Sequence, residues 1–167
     1  MPEYTVKNVK TFRGMEGIGF NASLYRDGKR VATVDDSAHG GCYDWHWLDF
    51  KMPRVKITVK NYKGKLRVRS VTPEEKIFVE HVHTVSDETF EPEDGFVSEL
   101  VNDYEIAKEY RTKCRTKTLI VLKGYKKGEY SACNAKYTPA FAAKIRETHG
   151  EDLVEIINER FVEKVQA

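Results

Sequence analysis

The sequence predicts an α+β fold, an antiparallel β-sheet of N-terminal hairpins packed against C-terminal helices, and three observations predict it. Residues 1–72 alternate apolar and polar side chains between turn residues, the two-residue period of half-buried strands. Beyond Thr72 the apolar spacing lengthens to three and four, the period of a helix with one packed face. The change of period falls on Thr72-Pro73-Glu74-Glu75, where a threonine N-cap, a proline at the first helical position and a glutamate three residues on make a helix start with a capping box.

Taken in order, Tyr4, Val6, Val9 and Phe12 give a strand of imperfect alternation. In 18–25, Ile18, Phe20, Ala22 and Leu24 face one way and Gly19, Asn21, Ser23 and Tyr25 the other. Asp27-Gly28 then separates this run from 31–34, and Asp-Gly between alternating runs is the sequence of a type I′ hairpin, which needs two positive φ angles. A second hairpin joins 55–59 to 66–71 through 61–65. In its first strand Val55, Ile57 and Val59 alternate with Lys56, Thr58 and Lys60, so one side is core and the other basic and wet. The helix after Thr72 carries Ile77, Phe78 and Val82, although β-branching over 77–82 competes for a strand. Residues 86–95, with five acids, read as a surface loop, and from Phe96 the positions Val97, Leu100, Val101, Tyr104 and Ala107 follow helical spacing. A further hairpin is expected near 118–133. Thr138-Pro139 starts a helix with Phe141, Ala142 and Ile145 inside and Gly150 past its end, and a last helix over 152–165 is expected to bury Leu153, Ile156, Ile157 and Phe161.

At 167 residues and 40% hydrophobic, the chain suits a single domain over 1–167, mainly β up to 72 and mainly α with one hairpin after it. No run approaches the ~18 apolar residues of a membrane helix, and Met1-Pro2-Glu3 begins no signal peptide. Cys42, Cys114 and Cys133 are odd in number and contain no CxxC, so they read as free thiols of a reducing cytoplasm. Charge is segregated. Residues 1–72 hold 14 Lys+Arg and 7 Asp+Glu, residues 73–110 hold 2 and 12, and residues 111–167 hold 12 and 7. The acidic middle is expected to fold against the basic part and neutralise some of it.

Three segments are candidate sites. The aromatic segment 39–47 holds both tryptophans; Tyr43, Trp45, His46 and Trp47 on a glycine-hinged loop suit partner binding, the alternative being that the indoles alternate inward as core. The basic residues Lys56, Lys60, Lys63, Lys65, Arg67 and Arg69, with Tyr62 interleaved, suit a nucleic-acid backbone or another anion, or are simply the wet side of a sheet. Gly14, Gly17 and Gly19 could form a ligand loop, but the order G-x-x-G-x-G ahead of a strand fits a turn or close strand packing better than a phosphate cradle. His39, Cys42, His46, His81 and His83 match no metal-ligand spacing, so neither a metal nor a cofactor is expected. There is no nucleophile elbow, no HExxH and no paired-carboxylate motif, so no catalytic residue is named.

The run Gly17-x-Gly19-Phe20-Asn21-Ala22-x-Leu24-Tyr25-x-Asp27-Gly28-Lys29-x-Val31-Ala32 resembles a family of small bacteriophage and mobile-element proteins, as do 113–118, Leu122-Lys123-Gly124, Gly128-Glu129-Tyr130 and Tyr137-Thr138-Pro139. The resemblance implies an accessory protein of a virus or plasmid in a bacterial host cytoplasm. It leads to the expectation of a non-enzymatic protein that binds and inhibits a host factor, an anti-defence inhibitor of the anti-CRISPR kind. The alternatives are a nucleic-acid-binding protein using the basic sheet face and a nucleotide-binding sponge.

Overall fold

The computed structural model describes residues 1–60, 63–87 and 90–162. The chain forms two compact units, Met1–Tyr104 and Glu105–Ala167. Together they are α+β, with antiparallel N-terminal hairpins and, among the described residues, four α-helices.

In the first unit β1 (Tyr4–Arg13), β2 (Ile18–Arg26), β3 (Lys29–Asp36) and β4 (Asp44–Trp47) form an antiparallel meander in sequence order. Asp27 and Gly28 take φ 49° and 78°, the two positive values of a type I′ turn, and Arg26 pairs with Lys29 across it. The irregular alternation of β1 has a physical cause. Lys7 pairs with Ser23 and Lys10 with Asn21, so Asn8 and Val9 together oppose Ala22. This bulge, with Asn8 at φ 55°, adds one residue and brings Val9 to the same buried side as Tyr4 and Val6.

That side of the sheet, with Phe20, Ala22, Leu24, Val34 and Trp47, packs on Phe78 and Val82 of α1 (Pro73–Val85) and on Val97 and Val101 of α2 (Pro92–Lys113). The capping box forms as its sequence requires: the Thr72 hydroxyl accepts from Glu75 N at 3.2 Å and the Glu75 carboxylate from Thr72 N at 3.3 Å. The helix wins over the strand at 77–82 because Phe78, Val79 and Val82 fall on one buried stripe. α2 begins at Pro92 rather than Phe96, so the end of the expected acidic loop is its first turn, where Glu93 and Asp94 suit the positive end of the helix dipole. A separate two-stranded ribbon, β5 (Val55–Lys60) and β6 (Leu66–Val71), lays Ile57 and Val71 on Val79 of α1.

The second unit is a sheet of order β8-β7-β9, from β7 (Thr118–Leu122), β8 (Ser131–Cys133) and β9 (Leu153–Ile156). The hairpin expected near 118–133 is present, with Thr118 opposite Cys133 and Ile120 opposite Ser131. One side of the sheet packs Ile120 and Ile156 on Ala142 and Ile145 of α3 (Pro139–His149); the other packs Leu119 and Ile157 around Tyr110. The last helix departs from expectation. Leu153–Ile156 is a strand paired with β7, and only Glu159–Val162, α4, is helical before the described residues end at 162. Adjacent Ile156 and Ile157 bury in the clusters on opposite sides of the sheet, which the alternation of an extended chain allows and a helix, with one packed stripe, does not. Among the described residues no helix is long and apolar enough to cross a membrane.

Candidate functional site

The aromatic segment points inward. Trp47 is 9% exposed, and Trp45 and Tyr43 are half-buried against the same core. The two indoles, both on the inner side of β4, stack with centroids 5.5 Å apart and planes at 5°, and each lies against the Phe78 ring. Asp94, at the start of α2, fixes the segment: one carboxylate oxygen accepts from Tyr43 N at 2.8 Å and the other from Trp45 Nε1 at 3.0 Å, while the Tyr43 hydroxyl meets that of Ser98. Tyr43, Trp45 and Trp47 therefore offer no outward platform. The two-residue beat of a short strand beside a helix-covered sheet turns both indoles to the core, leaving His46 on the open side, 3.7 Å from Asp35.

Burial raises the pKa of the Asp94 carboxyl above its usual 3.8, against the downward pull of its Tyr43 and Trp45 hydrogen bonds. A carboxyl with a raised native pKa binds its proton more tightly folded than unfolded, so its contribution to stability is greatest at low pH and falls as pH rises from 3.8 through the native value. Asp94→Asn does not titrate. In urea melts across that window the wild type is expected to lose stability relative to D94N as pH rises; a pH-independent difference would contradict the raised pKa.

The glycine segment is a hairpin turn. Gly14 N donates to Gly17 O at 2.8 Å and Glu16 N to Ala38 O at 2.9 Å, which spends two amide donors of a would-be phosphate cradle. Gly19 is needed for close approach, since a Cβ there would strike the Phe12 ring and Asp36 O. Gly14 and Gly17 thus serve the β1–β2 turn, and Gly19 the close packing of β2 against Phe12 and Asp36.

A cluster that sequence spacing missed joins Cys42 of the aromatic segment to the start of α2. Potential ligand atoms of Cys42, Glu91 and Asp94 fall within 4.8 Å of one another. The Cys42 thiol donates to Glu91 at 2.9 Å, and that hydrogen bond, with burial second, raises its pKa. With Asp94 holding the aromatic segment and Cys42 bonded to Glu91, the three are accounted for by hydrogen bonds within the unit.

The basic residues do not share one face. In the ribbon register Val59 opposes Arg67, Ile57 opposes Arg69 and Val55 opposes Val71, whereas Lys56 opposes Ser70, Thr58 opposes Val68 and Lys60 opposes Leu66. Directly opposed residues project to the same side. Arg67 and Arg69 therefore lie on the apolar side that meets α1, and Lys56 and Lys60 on the outer one; Tyr62 lies outside the described residues. Arg69 is neutralised at 2.9 Å by Glu93 and 3.1 Å by Glu75, and Arg26 by Glu74 at 2.8 Å, so the acidic middle does fold against part of the basic region. Among the described residues no ion pair involves Lys56, Lys60 or Arg67, whereas Lys63 and Lys65 do have interactions.

What the sequence reading left out is the apolar content of the outer ribbon side. Leu66 and Val68 are 68% and 67% exposed, Leu66 opposite Lys60 and Val68 opposite Thr58, with Lys56 the next outward residue of β5. Beside them a groove of about 430 Å³ runs between β5 and α1, lined by 56–60 and by Leu66, Lys76, Val79, Glu80 and His83. A second exposed apolar set, Leu48, Phe50 and Met52, follows β4. Comparison of the chain with family models, curated proteins and solved structures finds no match.

Proposed function

We propose that this chain is a non-enzymatic binding protein that engages an acidic protein partner through the β5–β6 ribbon. The observation that carries the reading is a pair of bare aliphatic side chains, Leu66 and Val68, set among cations on an otherwise open strand surface. Residues 54–71 contain seven Lys and Arg and no Asp or Glu, and although Arg69 is paired with Glu75 and Glu93, Lys56, Lys60 and Arg67 are in no ion pair among the described residues, so the ribbon attracts anions. A phosphate backbone would satisfy the cations and leave Leu66 and Val68 wet. Stacked bases would call for aromatic side chains, and the outer side of the ribbon shows none among the described residues. A protein surface of mixed acidic and apolar character covers both kinds of group at once, as the core and rim of ordinary interfaces do. The resemblance to bacteriophage and mobile-element proteins directs the proposal to a host factor, inhibited by having a surface occupied.

The ribbon is tested by capture from nuclease-treated bacterial lysate with the wild type, with Leu66→Ser/Val68→Ser, and with Val154→Ser as an exposed control on the second unit. The expected result is one protein retained in stoichiometric amount by the wild type and the control, and reduced about tenfold or more by the ribbon variant. Retention that survives the ribbon variant, or retained material that is nucleic acid removed by the nuclease, would refute the proposal.

A further inference from the structure

We infer that the partner of the ribbon binds as an added β-strand, an extended acidic segment laid along the free edge of β5 in the groove beside α1. This rests on the ribbon being the contact surface and adds the mode and chemistry of contact.

The groove follows an edge and not a face. A depression on one face of a strand is lined by every second residue, but here five consecutive residues, 56–60, line it, joined only at the turn end by Leu66, which pairs with Lys60. Across from them stand Lys76, Val79, Glu80 and His83, whose spacing of three, one and three is a single stripe of α1. The ribbon is a two-stranded sheet, so β5 pairs with β6 on one side and has no strand neighbour on the other among the described residues. An unpaired row of N–H and C=O groups about 15 Å long, walled by a helix and opening on about 430 Å³, is the template that strand addition uses.

Charge selects the occupant. Two copies of this chain joined antiparallel through β5 in the register centred on Thr58 would set Lys56 of one copy against Lys60 of the other, twice over, and like charges directly opposed across strands are destabilising. That centred register of self-association is thus disfavoured while the same lysines attract carboxylates. The groove lining carries Lys56, Lys60 and Lys76 against one acid, Glu80, which pairs with Lys76 at 3.7 Å. Side chains of an added strand alternate in direction. Those on the outer side would lie beside Lys56 and Lys60, and those on the inner side would meet Ile57, Val59 and Val79. The occupant is therefore an extended segment with acidic residues at alternate positions and apolar residues between them.

The test selects random linear peptides of about ten residues, displayed on particles, against the intact chain, and then follows backbone amide exchange by NMR with the synthetic form of an enriched peptide. The expected peptides carry Asp or Glu at alternate positions. Bound, they slow exchange about tenfold at the outward amides of residues 55–60 and leave the amides paired to β6 unchanged. Lys56→Glu/Lys60→Glu, checked by its melting curve to be folded, weakens them about tenfold. Peptides that perturb Leu66 and Val68 without protecting β5 amides would overturn strand addition and leave the ribbon as the contact surface. Failure to enrich any acidic sequence would do the same. Displacement of every peptide by oligothymidylate, with no amide protection, would overturn both.

Discussion

Phe78→Ala is expected to destabilise the first unit by about 4 kcal/mol, read as a fall in the urea midpoint and in the thermal midpoint. Phe78 is 1% exposed, and its ring meets Tyr4 at 5.1 Å, Trp45 at 5.2 Å, Trp47 at 5.7 Å and Phe96 at 5.8 Å. Truncation removes a side chain that touches β1, β4 and α2 together, and the rigid indoles around it collapse poorly into the space. Phe78→Leu keeps much of the volume and should cost less than half as much. A loss near 1 kcal/mol for the alanine variant, the size of an average substitution, would mean that the aromatic segment is held without it.

Asn158→Ala is expected to cost the second unit about 3 kcal/mol, because it strands the buried Leu119 N–H and two partly buried carbonyls at once. Asn158 is 3% exposed; its carbonyl oxygen accepts from Leu119 N at 2.8 Å and its amide donates to Lys117 O at 2.8 Å and Cys114 O at 3.3 Å. One side chain thereby joins the segment after α2, the start of β7 and the end of β9. Asn158→Leu fills the same volume without those bonds, so an equal or larger loss for leucine would assign the effect to hydrogen bonding. Recovery of stability with leucine would assign it to packing.

The parts of this fold that are local in origin were readable from the chain. The Asp27-Gly28 hairpin and the Thr72 capping box are decided by residues within three positions of one another, and both form as their sequences require. What escaped was set by distant partners. Leu153–Ile156 has the composition of a helix or a strand, and β7, some thirty residues earlier, decides it by offering an unpaired edge. Asp94 sits in an acidic run that reads as loop, and only its hydrogen bonds to Tyr43 and Trp45, about fifty residues earlier, show it as the anchor of the aromatic segment. Among the candidate residues, composition marked 56–69 as basic, but the division of those cations between two sides depends on the pairing of β5 with β6. The exposed state of Leu66 and Val68 likewise needed the position of α1, because aliphatic residues in a strand ordinarily signify core.

The pairing of Arg69 with Glu75 and Glu93 has a consequence for encounter. It cancels the positive charge of Arg69 and leaves Lys56, Lys60 and Arg67 uncancelled by any ion pair among the described residues, so those three cations hold the ribbon's attraction for anions. An approaching anion is drawn toward these cations before it touches. Salt would therefore slow such arrivals far more than it hastened departures, which the aliphatic contacts would govern.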